Sequence, residues 1–239
     1  MIYKLAQTAF AVAFGFSILG CGDGSEGNYE QPPSFSNSYL SDGSSSDGEP
    51  DDSSSSSEPD GSCDIEDYKT VSINGETWMA ENLNCYVPGS KCYENEPANC
   101  QKYGRLYDWV TAMSVCPSGW HIPSNADWDR LVRYVDNSTG TDSPTAGRYL
   151  KATDGWHNCG SGASYSYKCE DTDDFSALPG GSGYSDDAFY YAGYYGHWWT
   201  ASEYNAYGAY YRVMSYASDD ANWKVSNKSY LFSVRCVQD

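Results

Sequence analysis

The sequence predicts a single α+β domain over residues 63–239, braced by disulfides and built from an amino-terminal β-hairpin, two helices and a strand-rich second half. Three observations lead there. An Asn74-Gly75 dipeptide separates two strand-like runs, two stripes of apolar residues recur at helical spacing between 106 and 135, and beyond Leu150 the chain turns to short aromatic and β-branched runs broken by glycines. A domain of this length buries a sizeable core, and the chain's eight Trp and 23 Tyr supply bulky filling with polar tips.

The hairpin comes first. Lys69 to Ile73 and Glu76 to Leu83 flank Asn74-Gly75, a dipeptide that two-residue turns prefer because both positions need positive φ. In that register Ile73 faces Glu76, and extending it outward brings Cys63 almost opposite Cys85. Leu106, Trp109, Val110 and Met113 then predict a helix from about Lys102 to Ser114. Trp128, Leu131, Val132 and Val135 predict a second, with Ser124 as N-cap, Asp127 as the reciprocal acid of a capping box, and an end near Asp136. Trp198 to Ser202, Tyr210 to Met214 and Phe232 to Val237 are the best strand candidates. In the last, Phe232, Val234 and Cys236 alternate with Ser233, Arg235 and Val237, which predicts one buried face.

Residues 1–62 do not read as part of this core. Residues 1–20 carry one charge, Lys4, ahead of an apolar run too short for an ordinary membrane span, the pattern of a signal peptide. Ile18-Leu19-Gly20-Cys21 resembles the bacterial lipobox, which implies a lipid on Cys21, cleavage before it, and anchoring to a membrane. Gly22 after that cysteine implies the outer membrane by the sorting rule of enteric bacteria. Residues 21–62 then form the lipidated cysteine and a Ser, Asp, Gly and Pro-rich tether, with ten acids and no base in 22–62 and too few apolar residues to fold. As a flexible coil it spans roughly 35 Å. The expected location is therefore the cell envelope.

The full chain has a formal net charge of −19, shared between tether and domain. Such acidity disfavours nucleic acid and peripheral docking on anionic membranes, and leaves neutral ligands or cations open. Setting Cys21 aside, eight cysteines remain, an even number in an exported chain, which points to disulfides rather than to metal or a reactive thiol. Cys63 and Cys85 close the open end of the hairpin. Cys92 with Cys100 and Cys159 with Cys169 flank short loops, and Cys116 and Cys236 remain to tie the end of a helix to the final strand. No cysteines stand at zinc-knuckle spacing, and His121, His157 and His197 are scattered singly.

Six ordered strings resemble one family. They are Trp78-Met79-Ala80-Glu81-Asn82-Leu83-Asn84, Tyr103-Gly104-Arg105-Leu106-Tyr107-Asp108-Trp109, Cys116-Pro117-Ser118-Gly119-Trp120-His121-Ile122-Pro123, Phe175-Ser176-Ala177-Leu178-Pro179-Gly180-Gly181, Trp199-Thr200-Ala201-Ser202-Glu203 and Phe232-Ser233-Val234-Arg235-Cys236-Val237. Together they look like the Fibrobacter succinogenes major paralogous domain over about residues 64–239. That resemblance implies an exported bacterial module found on lipoproteins and adhesin-like proteins, and assigns no biochemical activity. The Gly119 to Pro123 string before a capped helix, with the late Trp-Thr-Ala-Ser-Glu strand, is also distantly similar to the lectin-like fold of C-type lectins and formylglycine-generating enzymes. A bridge between Cys116 and Cys236 would suit that fold.

No nucleophile and no acid/base pair stands out, so the expectation is a non-catalytic module without cofactor or metal. The acids Glu170, Asp171, Asp173 and Asp174 cluster, but Asp171 to Ser182 has neither the terminal Glu nor the central Gly of a calcium loop. The aromatics carry more weight. Tyr190, Tyr191, Tyr194, Tyr195 and Trp198 crowd a glycine-rich segment, with Tyr204, Tyr207, Tyr210 and Tyr211 beyond them, and flat rings with polar tips suit sugar faces and hydroxyls. The expected ligand is an extracellular target, polysaccharide first and an envelope protein second. An enzyme of lectin-like fold is the remaining alternative.

Overall fold

The computed structural model describes residues 63–137, 144–157, 159 and 167–239. The lipobox with Cys21 and the tether lie outside the described residues.

The hairpin forms in the expected register. Strands β1 (Thr70–Ile73) and β2 (Glu76–Met79) pair antiparallel with Ile73 opposite Glu76 and Thr70 opposite Met79. Asn74 and Gly75 both take positive φ, at 53° and 79°, as the tight turn demands. Helices α1 (Pro97–Tyr103) and α2 (Trp109–Ala112) follow, then the short strand β3 (Trp120–His121), α3 (Asn125–Val135) and α4 (Ala146–Leu150). The second half holds β4 (Ser182–Gly183), β5 (Phe189–Tyr190), β6 (Tyr195–Glu203), β7 (Gly208–Ser215), β8 (Asn222–Asn227) and β9 (Val237–Gln238). They assemble into three antiparallel sheets, ordered β1-β2-β9-β3, β4-β5 and β6-β7-β8. The fold is therefore α+β and rich in disulfides.

The second predicted helix is present as read. Ser124 Oγ accepts from the Asp127 backbone N–H at 3.3 Å, the Asp127 carboxylate accepts from the Ser124 N–H at 2.7 Å, and the helix ends at Asp136. The first is not one helix. Between α1 and α2 the chain runs extended, so that Leu106 bridges Lys91 and Tyr107 bridges Phe232. Gly104 makes the break, with φ 75° and no room for a side chain: a Cβ there would stand 2.8 Å from the carbonyl oxygens of Asn82 and Leu83. Of the apolar stripe that predicted the helix, Leu106 is buried while Val110 is 68 % exposed. Backbone pairing took the segment that periodicity alone assigned to a helix.

Phe232 to Val237 also departs from expectation. Both of its faces are buried, with Ser233 and Arg235 as inaccessible as Phe232, Val234 and Cys236. The segment runs between two apolar clusters. One gathers Trp78, Trp128, Phe175, Trp198 and Val237, and the other gathers Leu83, Tyr107, Trp199, Phe232 and Cys236. Adjacent residues Trp198 and Trp199 of β6 point into opposite clusters because successive strand side chains alternate.

The four disulfides are Cys63–Cys85, Cys92–Cys100, Cys116–Cys236 and Cys159–Cys169, with Cα separations of 5.2, 4.9, 5.9 and 5.7 Å. They are the pairs that local geometry and elimination proposed. Among the described residues no helix is long and apolar enough to cross a membrane.

Candidate ligand-binding surface

The turn between β5 and β6 presents the predicted tyrosines. Tyr191 sits at φ 70°, in the left-handed region that a bulky residue rarely adopts, and its carbonyl accepts from both Tyr194 N–H and Tyr195 N–H at 2.9 Å. Gly181 lies beneath. Its N–H donates to the Tyr195 carbonyl at 2.8 Å, and a Cβ there would meet the Tyr190 carbonyl oxygen at 2.5 Å, so the loop packs down only on glycine.

This geometry turns Tyr190 and Tyr191 outward, 39 % and 40 % exposed, with ring centroids 5.9 Å apart and planes tilted by 41°. Behind them the rings form a continuous band. Tyr191 meets Tyr195 edge-on at 5.3 Å, Tyr194 and Tyr216 meet at 5.2 Å, and Tyr194 stacks on His157 at 4.6 Å. On the other side Tyr184 contacts Tyr190 at 5.2 Å and Tyr230 at 4.3 Å. Each ring packs against the next, so the exposed pair is backed by other rings on its inner side.

Trp198 does not belong to that surface. It is fully buried, and its Nε1–H donates to Asn82 Oδ1 at 2.8 Å. Strand alternation brings it inward even though it lies three residues from Tyr195. Its partner network was not read from the sequence. Asn82 Oδ1 also accepts from Arg235 Nε at 3.1 Å, while the Arg235 guanidinium donates to the carbonyls of Met79, Phe175 and Ser176. Burial pulls the Arg235 pKa down to about 9. Three of the family-like strings thus meet at a buried cation that joins the end of the hairpin, residues 175–176 and the final segment. A buried arginine inside an apolar alternation is the one signal that marks it in the sequence.

The other candidate groups disperse. His197 is buried, its Nδ1 lies 3.1 Å from the Gly181 carbonyl, and desolvation lowers its pKa to about 4. Glu170 pairs with Arg148 at 2.5 Å, and Asp171 accepts from the Ser176 N–H and Oγ–H at 2.6 and 2.7 Å. Among the described residues no group of three or more His, Cys, Asp or Glu could hold a metal ion. Tyr211 packs on Phe232 at 4.7 Å, whereas Tyr204 and Tyr207 at the β6–β7 turn and Trp223 near the start of β8 are 57 %, 81 % and 53 % exposed.

A cleft of about 370 Å³ lies apart from the tyrosine band, between residues 81–86 and 100–104, with Tyr68 at one side. Nothing in the sequence reading marked it, because its walls come from segments brought together only by the fold.

The model of the Fibrobacter succinogenes major domain matches residues 71–238. Comparison with curated proteins and with solved structures finds no match. The match covers more than half of the chain and includes the hairpin, the Asn82–Arg235 network and the tyrosine turn, and on that ground the chain belongs to the Fibrobacter succinogenes major domain family.

Proposed function

We propose that this protein is a non-catalytic, lipid-anchored module of the cell surface that binds an extracellular polysaccharide through Tyr190, Tyr191, Tyr194 and Tyr195. The observation that carries the reading is the exposed Tyr190–Tyr191 pair, 5.9 Å apart and backed by Tyr184 and Tyr195. That spacing is about the length of one sugar residue along a glycan. Rings held in advance lose little entropy on binding, and their hydroxyls remain available to sugar hydroxyls. Strain at Tyr191 supports the reading, since a bulky residue at positive φ is retained at a cost that a glycine would remove.

Lipidation of Cys21 places the module at the outer membrane, with the acidic tether holding it clear of the lipid and nucleic acid excluded by charge. A lectin-like arrangement is the corresponding fold proposal, supported by the Cys116–Cys236 bridge to the segment before β9. A second reading, docking of an envelope protein, is favoured by β8, an edge strand on which Trp223 and Val225 are both exposed.

The test is retention of the full, oxidised chain on insoluble and soluble polysaccharides, with and without chelator. Retention that Tyr191→Ala or Tyr195→Ala abolishes supports the glycan reading. No retention on any glycan, together with binding to purified envelope proteins that Trp223→Ala removes, would replace it with the second. Transfer of a Cys21→Ser chain from the membrane to the soluble fraction checks the anchor.

A further inference from the structure

The cleft between residues 81–86 and 100–104 has the build of a binding site. Its two walls are fixed at a set distance: Asn82 Nδ2–H donates to the Tyr103 carbonyl at 2.8 Å and Arg105 N–H to the Leu83 carbonyl at 2.9 Å. Each wall also carries half of a disulfide, Cys85 bonded to Cys63 on one side and Cys100 bonded to Cys92 on the other. A cavity braced in this way needs no rearrangement to receive a ligand. Its volume of about 370 Å³ falls at the small end of the range for small-molecule sites.

The groups around it are of both hydrogen-bonding kinds. Asn84 and Gln101 are exposed, and their amides make no side-chain hydrogen bond among the described residues. The Tyr68 oxygen accepts from Asn84 N–H at 3.1 Å, which leaves its own O–H free to donate, and burial raises its pKa so that the proton stays. Glu81 uses one carboxylate oxygen on the Lys69 N–H at 2.8 Å and keeps the other. At the mouth, the Arg105 guanidinium lies 4.9 Å from the Tyr86 ring centre and steadies it.

That combination disfavours two ligand classes. An anion would face Glu81 and Asp67, and an apolar ligand would strip water from two amides without replacing it. A neutral polyol satisfies all of these groups, because each hydroxyl both donates and accepts. We propose that this cleft is a second binding site, which takes the end of a neutral saccharide. It shares no residue with the tyrosine surface, so a polymer could be gripped along its face by one site and at a chain end by the other.

The proposal is tested by calorimetric titration of the full, oxidised chain with methyl glycosides of glucose, galactose, mannose and xylose, and with cellobiose. At least one probe is expected to give saturable heat in the millimolar range, weakened at least tenfold by Asn84→Ala or Gln101→Ala and unchanged by Tyr191→Ala. Absence of heat from every probe overturns it. So does heat that survives Asn84→Ala combined with Gln101→Ala, and so does heat that only Tyr191→Ala removes. Both amides are exposed and bear no structural bond, so the variants are expected to keep the parent's thermal midpoint. Failure of the polymer-retention test leaves this outcome unaffected, which separates the two readings.

Discussion

Arg235 Nε donates to Asn82 Oδ1 at 3.1 Å, across 153 positions of chain and with both residues buried. The same oxygen accepts from Trp198 Nε1–H, and Asn82 Nδ2–H holds the Tyr103 carbonyl. One amide therefore joins the hairpin, the end of α1, strand β6 and the final segment. Asn82→Ala strands two buried donors and a carbonyl and is expected to cost about 3–5 kcal/mol. Trp198→Phe removes a larger volume but leaves Arg235 bonded, and is expected to cost less. Urea denaturation of both variants ranks them, and polysaccharide retention is expected to survive Trp198→Phe.

Tyr191→Gly is expected to separate stability from binding. Relief of positive-φ strain, about 1–3 kcal/mol, offsets the loss of ring contacts to Tyr190 and Tyr195. The thermal midpoint should move by only a few degrees while, on the proposed glycan reading, retention on polysaccharide disappears. A variant that keeps retention removes Tyr191 from the site.

His197 sets an acid limit on stability. Its folded pKa of about 4 lies below the ordinary 6.5, because burial against Phe232 disfavours the imidazolium. Between those values the unfolded chain binds a proton that the native chain refuses. Stability therefore falls as pH drops from about 6.5 to 4, by up to about 3 kcal/mol. Substituting His197→Phe is expected to flatten that part of a plot of unfolding free energy against pH. The lowered carboxylate of Asp127 acts at still lower pH and should remain visible.

The bridges should rank by the length of chain they enclose. Cys116–Cys236 spans 120 positions and Cys92–Cys100 spans 8. On the chain-entropy account, replacing each pair by serines costs about 5 and about 2.5 kcal/mol respectively. Denaturant midpoints of the two double variants check the order, with a steeper slope expected when Cys116–Cys236 is removed, because the unfolded chain freed of the longer loop exposes more surface.

Removing the α3 cap gives a smaller effect. Ser124→Ala leaves the Asp127 N–H without its acceptor and should cost about 1 kcal/mol. Asp127→Ala should cost somewhat more, since that carboxylate also takes the Ser124 N–H and pairs with Arg130.

Much of the fold was legible because its signals are local. Asn74-Gly75 specifies a turn whose dihedrals few other dipeptides tolerate, the Ser124 and Asp127 pair specifies a helix start, and cysteines ten or fewer positions apart pair across their own loop. Cys63–Cys85 followed from strand register, and Cys116–Cys236 from what remained. The candidate site was half legible. Tyr190, Tyr191, Tyr194 and Tyr195 crowd one turn of the fold as they crowd the sequence, while Trp198 in the same run turned inward.

The sequence by itself determined the hairpin register, the capped helix, the bridge pairings and the tyrosine-rich turn, all of which depend on residues near in chain or on counting. Only the tertiary structure decided that residues 104–108 run extended, that Arg235 lies in the core with Asn82 as its partner, and that residues 81–86 and 100–104 enclose a cleft. The reason is physical. Backbone groups pair, and buried charges find acceptors, with whatever the fold brings within about 3 Å, and separations of 15 to 153 positions leave no periodic trace in the chain.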